Sequence, residues 1–182
     1  MKIIKKALTV AALSTTVLSG AAFAATQGTL GATSTGTTDV TLTIASQVRI
    51  SDLNDFALGT YGGAGNLTGN DNVCAYTNVA SGAYNITFTD NSEMTATQFA
   101  VENAGNTAEI PMEVRYNDVT GTAGNAVATY GTQMASTGAN ITADDCSAGG
   151  LSGNIQVTLL AADLQAAPAD AYASTVTVLM EP

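Results

Sequence analysis

The side chains that usually carry out chemistry are scarce in this sequence. It has no histidine, and its three lysines, Lys2, Lys5 and Lys6, all fall at the very start. Beyond them no Ser or Cys nucleophile could find a histidine or lysine base, so Ser–His and Cys–His catalysis are excluded. The fifteen acids are scattered along the chain and read as solvated loop carboxylates. No catalytic residue is assigned, and the chain reads as a non-enzyme. Hard oxygen ligands of the kind calcium takes gather at Asn70-Asp71-Asn72, Asp90-Asn91-Ser92-Glu93 and Asp144-Asp145. None has the spacing of an EF-hand loop, and turn formation accounts for them better, so no metal or other cofactor is expected. Two cysteines remain, Cys74 and Cys146. With no C-x-x-C pair and no histidine to complete a metal site, they are expected to form a structural disulfide. Closing a loop of this size would stabilise the fold by roughly 4 kcal/mol on the chain-entropy account.

The chemistry left to the chain is that of its backbone, which can add a strand to a sheet. Val40-Thr41-Leu42-Thr43-Ile44 alternates with a period of two, Val40, Leu42 and Ile44 pointing one way and Thr41 and Thr43 the other. It comes after a Gly/Thr-rich leader, residues 25–37, which offers little to bury and reads as a mobile arm. It also precedes everything that reads as a domain. A strand so placed is expected to complete the sheet of another copy of the protein.

The rest of the chain must supply the sheet. Residues 1–24 read as a signal peptide: Lys2, Lys5 and Lys6, an apolar run from Ala7 to Leu18, and Ala22-Phe23-Ala24 as the cleavage site. The run is too short to span a membrane, which takes about 20 apolar residues, so export without membrane insertion is expected. Removing this segment leaves Arg49 and Arg115 as the only basic side chains against all fifteen acids. So acidic a surface repels phosphate backbones and anionic lipid, arguing against nucleic acid as a partner and for a soluble extracellular coat. The mature chain is large enough for one domain with a core, and a hydrophobic content of 46% excludes general disorder.

The expected organisation is a leader with donor strand over 25–46 and a β-sandwich domain over 47–182. Strands are read at 48–51, 73–76, 84–89, 99–102, 110–116, 154–160 and 172–180, with Gly/Asn-rich turns between them, including Gly69-Asn70-Asp71-Asn72. Pro111 marks an edge or the start of its strand. Residues 161–167 make at most one helical turn before Pro168. In the closing strand, Val176, Val178 and Met180 share one face. The tyrosines Tyr61, Tyr76, Tyr84, Tyr116, Tyr130 and Tyr172 read as core or half-buried packing.

Taken together, the leader, Val40-Thr41-Leu42-Thr43-Ile44, Val48-Arg49-Ile50-Ser51-Asp52-Leu53, Ile110-Pro111-Met112-Glu113-Val114, Ile155-Gln156-Val157, Ala167-Pro168 and the run Tyr172 to Met180 resemble a known family. The pattern is similar to pilins of the chaperone–usher pathway, especially the alpha-type colonisation-factor major subunits, and to the archaic subunits grouped with spore coat protein U. The resemblance implies an all-β fold: an incomplete immunoglobulin-like β-sandwich, completed by donor-strand exchange. Val40, Leu42 and Ile44 would be the donor residues, and Val176, Val178 and Met180 would lie near the acceptor groove. It implies other copies of the chain as partners, a periplasmic chaperone, an outer-membrane usher and a tip adhesin, and passage through the periplasm to an extracellular fimbria serving adhesion or biofilm formation. The competing expectation is a monomeric secreted β-sandwich binding module, or a tip adhesin, whose strand pairs within its own sheet.

Overall fold

A computed structural model describes residues 25–94 and 97–182. The expected signal peptide, residues 1–24, lies outside the described residues. The chain divides into two compact units, Met1–Ile44 and Ala45–Pro182.

In the first unit, Thr26 and Thr37 exchange both of their backbone hydrogen bonds at 2.9 Å, closing the leader into a loop. Gly36 lies so near the strand opposite that a Cβ there would meet the Thr26 carbonyl oxygen at 2.9 Å. Residues 38–44 pair with no strand among the described residues, and every described residue of this unit is exposed.

The second unit is almost entirely β. Its elements are β1 (Val48–Ser51), β2 (Leu67–Thr77), β3 (Tyr84–Asp90), β4 (Ala100–Asn103), β5 (Glu109–Asn117), β6 (Ala126–Val127), β7 (Met134–Ser136), β8 (Gly153–Leu159), α1 (Ala161–Ala166), β9 (Tyr172–Ala173) and β10 (Val176–Glu181). One sheet has the order β1-β2-β8-β5-β4-β9 with β6 beside β5; the other has the order β10-β3-β7. All of the strand pairs are antiparallel. Alternating β-branched and aromatic residues build this sandwich, because successive side chains take opposite faces. Tyr84, Ile86 and Phe88 of β3 point inward and meet Val114 and Tyr116 of β5, Ile155 and Val157 of β8, and Val73 of β2. The Phe88 and Tyr116 rings pack with centroids 5.6 Å apart.

Three strand expectations are corrected. Gly69-Asn70-Asp71-Asn72, read as a turn, lies inside β2 and pairs with Val157-Gln156-Ile155-Asn154 of β8. These residues serve side-chain bonding and close approach. Asp71 accepts hydrogen bonds from Asn54, Asn72 Oδ1 accepts from Asn154 Nδ2 and the Gly121 N–H, and Gly69 leaves room for Phe56 and Leu58. Pro111 sits at the third position of β5, which is a central strand. The Met112 N–H bonds to the Phe99 carbonyl on the β4 side, so the N–H that Pro111 lacks would face the other way. There the ladder with β8 begins only at Met112 and Leu159. Finally, the closing strand is two strands in different sheets: β9 pairs with β4 and β10 pairs with β3. The break at Ser174-Thr175 is held by Asn91, whose Oδ1 accepts from Thr175 N–H at 2.6 Å and Ser174 Oγ at 3.2 Å.

The helical turn falls where Pro168 predicts. Its N-cap, Leu160, offers no side-chain acceptor, and Asn66 Oδ1 takes the Ala161 N–H from across the fold.

Candidate strand-acceptor slot

The two sheets each end in a strand with one unpaired edge. β1 is bonded only to β2 and β10 only to β3 among the described residues, and β1 and β10 come within 8 Å of each other, Cα to Cα, without pairing. Register places their ends. Val48 is opposite Thr77 and Glu181 opposite Asn85, so β1 begins and β10 finishes where the short link between β2 and β3 turns the chain.

Between these edges runs an apolar row. Residues directly opposite in an antiparallel pair share a face. Val178 is opposite Phe88 and Met180 opposite Ile86, both fully buried, so Val176, Val178 and Met180 point toward the core. On the other wall Val48 and Ile50 do the same, with Ile50 opposite the buried Ala75. All five pack against the core yet stay only half-buried. Arg49, Thr177 and Leu179 face away, so no charged side chain enters the row. Unpaired N–H and C=O groups on both edges, flanking half-covered apolar side chains, are what an added strand binds to, and where β1 and β10 come within 8 Å they must part to the roughly 9.5 Å that a strand between them spans.

Both walls are fixed in place. Asn78 ties the segment before β1 to the end of β2, accepting from the Gln47 N–H at 2.8 Å and donating to the Ala45 carbonyl at 2.9 Å. The expected disulfide between Cys74 and Cys146 is present, with Cα atoms 5.8 Å apart. It fastens the 140–152 loop to β2, and from that loop Asp144 reaches Arg49 of β1 at 2.9 Å. That ion pair is exposed and contributes little by itself. Asn140 organises the same loop, donating to the carbonyls of Ala148 and Gly150 and accepting from the N–H groups of Thr142 and Ala143. The Ser147 hydroxyl and N–H hold the Asp145 carboxyl below its usual range. At the far end Asn91 anchors the start of β10, and at the strand's finish Glu181 accepts from Gln133 at 3.1 Å.

The strand read as a donor contrasts with these walls. Val40, Leu42 and Ile44 are 90%, 84% and 75% exposed in this chain. Val48, Ile50, Asn78 and Asn91 are additions that sequence reasoning did not assign to the slot. The alternation of β1 signals the first two, whereas nothing in the local sequence signals the asparagines.

The polar groups weighed as ligands are engaged in holding loops. Asp90 accepts from the Ala100 and Ser92 N–H groups, and Glu93 accepts from Asn106. Glu102 is buried, and backbone N–H groups of Glu93 and Met94, with the Ser92 hydroxyl, keep its carboxyl below the ordinary range. It lines an open depression of about 340 Å³ together with Asn103 and Tyr172. In the core, Tyr84 and Tyr116 share a 2.6 Å hydrogen bond, and burial pushes both hydroxyls above their usual range.

No protein-family model matches the chain, and no curated protein matches it in sequence. Solved structures share its fold. A chain from a structure of a chaperone–tip adhesin complex in CFA/I fimbriae biogenesis is similar at 18% identity and a TM-score of 0.52, over 75% of this chain and 41% of that one. A mutant of CfaE, the CFA/I adhesin of enterotoxigenic E. coli, is similar at 15% identity and a TM-score of 0.50, over 74% of this chain and 42% of that one. The chain thus spans less than half the length of either structure. At such identities the likeness is one of fold, an all-β, immunoglobulin-like sandwich of the kind fimbrial proteins use.

Proposed function

We propose that this chain is a structural subunit of a surface fimbria or coat fibre, built head-to-tail as each copy lays residues 38–44 into the slot of a neighbour. One pairing of observations carries the proposal: an apolar row left half-buried between two unpaired strand edges, and an exposed, unpaired segment of matching alternation in the same chain. Burying Val40, Leu42 and Ile44 would contribute roughly 1.5–3 kcal/mol each before backbone hydrogen bonds are added. That is comparable with the whole stability of a domain this size, about 5–15 kcal/mol. Donor and slot are different surfaces, so the contact is heterologous and propagates instead of closing.

An open slot is also a hazard, since an unpaired edge beside apolar side chains invites aggregation. In this reading a periplasmic chaperone covers the slot until an outer-membrane usher exchanges it for the next subunit's strand, and a tip adhesin ends the fibre. The signal peptide read at residues 1–24 routes the chain through the periplasm to the cell surface, where the fibre serves adhesion or biofilm formation. The acidic surface keeps so dense an assembly soluble.

Removing residues 25–44 tests the proposal. The shortened chain keeps its slot and loses its donor, so it is expected to cap growing fibres and to run as single subunits in size-exclusion chromatography. Long polymers from it would contradict the proposal. A full-length chain that unfolds reversibly as a stable monomer would instead support the binding-module reading.

A further inference from the structure

We infer that Asn78 is a positioning residue that commits strand 38–44 to another copy by keeping it from folding back onto β1 of its own chain. The inference rests on the reading of that strand as donated. Only Ala45, Ser46 and Gln47 separate Ile44 from β1, so the nearest open edge the strand could join is that of β1, through a β-hairpin.

Phase restricts such a hairpin. A two-residue turn at Ala45-Ser46 would set Thr43 against Val48 and Thr41 against Ile50. Val40, Leu42 and Ile44 would then face outward, because a one-residue slip moves every side chain to the other face. A three-residue turn at Ala45-Ser46-Gln47 sets Ile44 against Val48 and Leu42 against Ile50, apolar on apolar. Three-residue hairpin turns end in a left-handed residue, here Gln47. Among the described non-glycine residues, positive φ is confined to Asp52, Asn106 and Cys146, so Gln47 does not adopt it.

Asn78 holds the backbone groups this turn would have to rotate. Its Oδ1 accepts from the Gln47 N–H at 2.8 Å, its own N–H donates to the Gln47 carbonyl at 3.1 Å, and its Nδ2 donates to the Ala45 carbonyl at 2.9 Å. The in-phase hairpin breaks these bonds and places a side-chain-bearing residue in the left-handed region, whereas donation to a neighbour requires neither. Asn78 therefore decides between self-completion and assembly.

The test places Leu42→Cys and Val178→Cys in one full-length chain, exported with the chaperone and usher and lightly oxidised. Non-reducing electrophoresis separates bridges within a chain, which give a monomer band, from bridges between chains, which give a ladder. The parent pair is expected to give the ladder. Asn78→Ala is expected to raise the intrachain product about thirtyfold, the factor that two hydrogen bonds of ordinary net strength are worth. Asn78→Asp keeps the acceptor for Gln47 and loses the donor to Ala45, so a smaller rise is expected; adding Gln47→Gly to Asn78→Ala gives a larger one. A general loss of stability would give unbridged chains and no such graded series. Ladders unchanged in both Asn78 variants, or unbridged monomer in place of the intrachain band, overturn the inference and leave the proposed function standing. A parent pair that bridges only within its own chain removes both.

Discussion

Leu42 and Leu179 are both exposed leucines on β-periodic stretches, 84% and 52% respectively, and the account assigns them opposite fates. In the proposed fibre Leu42 lies on the face with Val40 and Ile44 that would enter a neighbour's slot, while Leu179 alternates with Val178 and Met180 and faces away from the core. Truncating Leu42 to alanine removes three carbons from a contact made only in the fibre. At about 0.8 kcal/mol per buried carbon this costs about 2.4 kcal/mol at the junction, or about a fiftyfold change in its equilibrium. Most of the change is expected in dissociation, since related interfaces differ mainly in off-rate. The same truncation leaves the fold of a single subunit unchanged within about 0.5 kcal/mol, because the side chain touches little there. Fibres of wild type, Leu42→Ala and Leu179→Ala can be held in denaturant too weak to unfold subunits, with released subunits followed by size-exclusion chromatography over time. Leu42→Ala should release subunits more than tenfold faster than wild type, and Leu179→Ala at the wild-type rate. Equal release from Leu42→Ala and wild type would refute the reasoning, as would equal acceleration by the two variants.

Two further predictions concern the sandwich that frames the slot. Gly153→Ala would put a Cβ 2.6 Å from the Tyr116 hydroxyl oxygen, which is buried and bonded to Tyr84. The clash is with a ring end that has nowhere to go, so a loss of about 1–3 kcal/mol is expected in chemical denaturation; Gly62→Ala, with nothing near its added Cβ, should be close to neutral. The Glu102 carboxyl is held below its ordinary 4.5 by the N–H groups of Glu93 and Met94 and by Ser92. A depressed folded value contributes stability above the ordinary range, and that contribution fades as pH falls through the folded value. Wild type should therefore be more stable than Glu102→Gln at neutral pH, with the difference closing below that range in parallel melts; a difference that persists unchanged to pH ~2 would contradict the assignment.

Strands β3 and β5 were legible because each alternates without interruption and buries one clean face, and β8 because Ile155, Val157 and Leu159 alternate inward after a start buried on both faces. The first half of β2 was hidden by its composition. Gly, Asn and Asp are turn formers in isolation, but here Asp71 and Asn72 spend their polar groups on Asn54, Asn154 and Gly121, partners brought up by the fold. The break between β9 and β10 was hidden for the same reason, since Asn91 lies 83 residues from Ser174, the nearer of the two it anchors. One wall of the slot, Val176, Val178 and Met180, comes from periodicity together with the resemblance. On the other wall the alternation of β1 signals Val48 and Ile50, but their place at a sheet edge and the Asn78 tie depend on which strands end up as edges, and no local pattern encodes that.

The central claim is that a neighbour's strand fills the space between β1 and β10. A helical reconstruction of the assembled fibre by electron cryomicroscopy tests it most directly. The account predicts a strand in that space continuous with Ala45 of the adjacent copy, carrying Val40, Leu42 and Ile44 toward Ile86 and Phe88. A space filled by the chain's own residues 38–44, or left empty in the fibre, would contradict it.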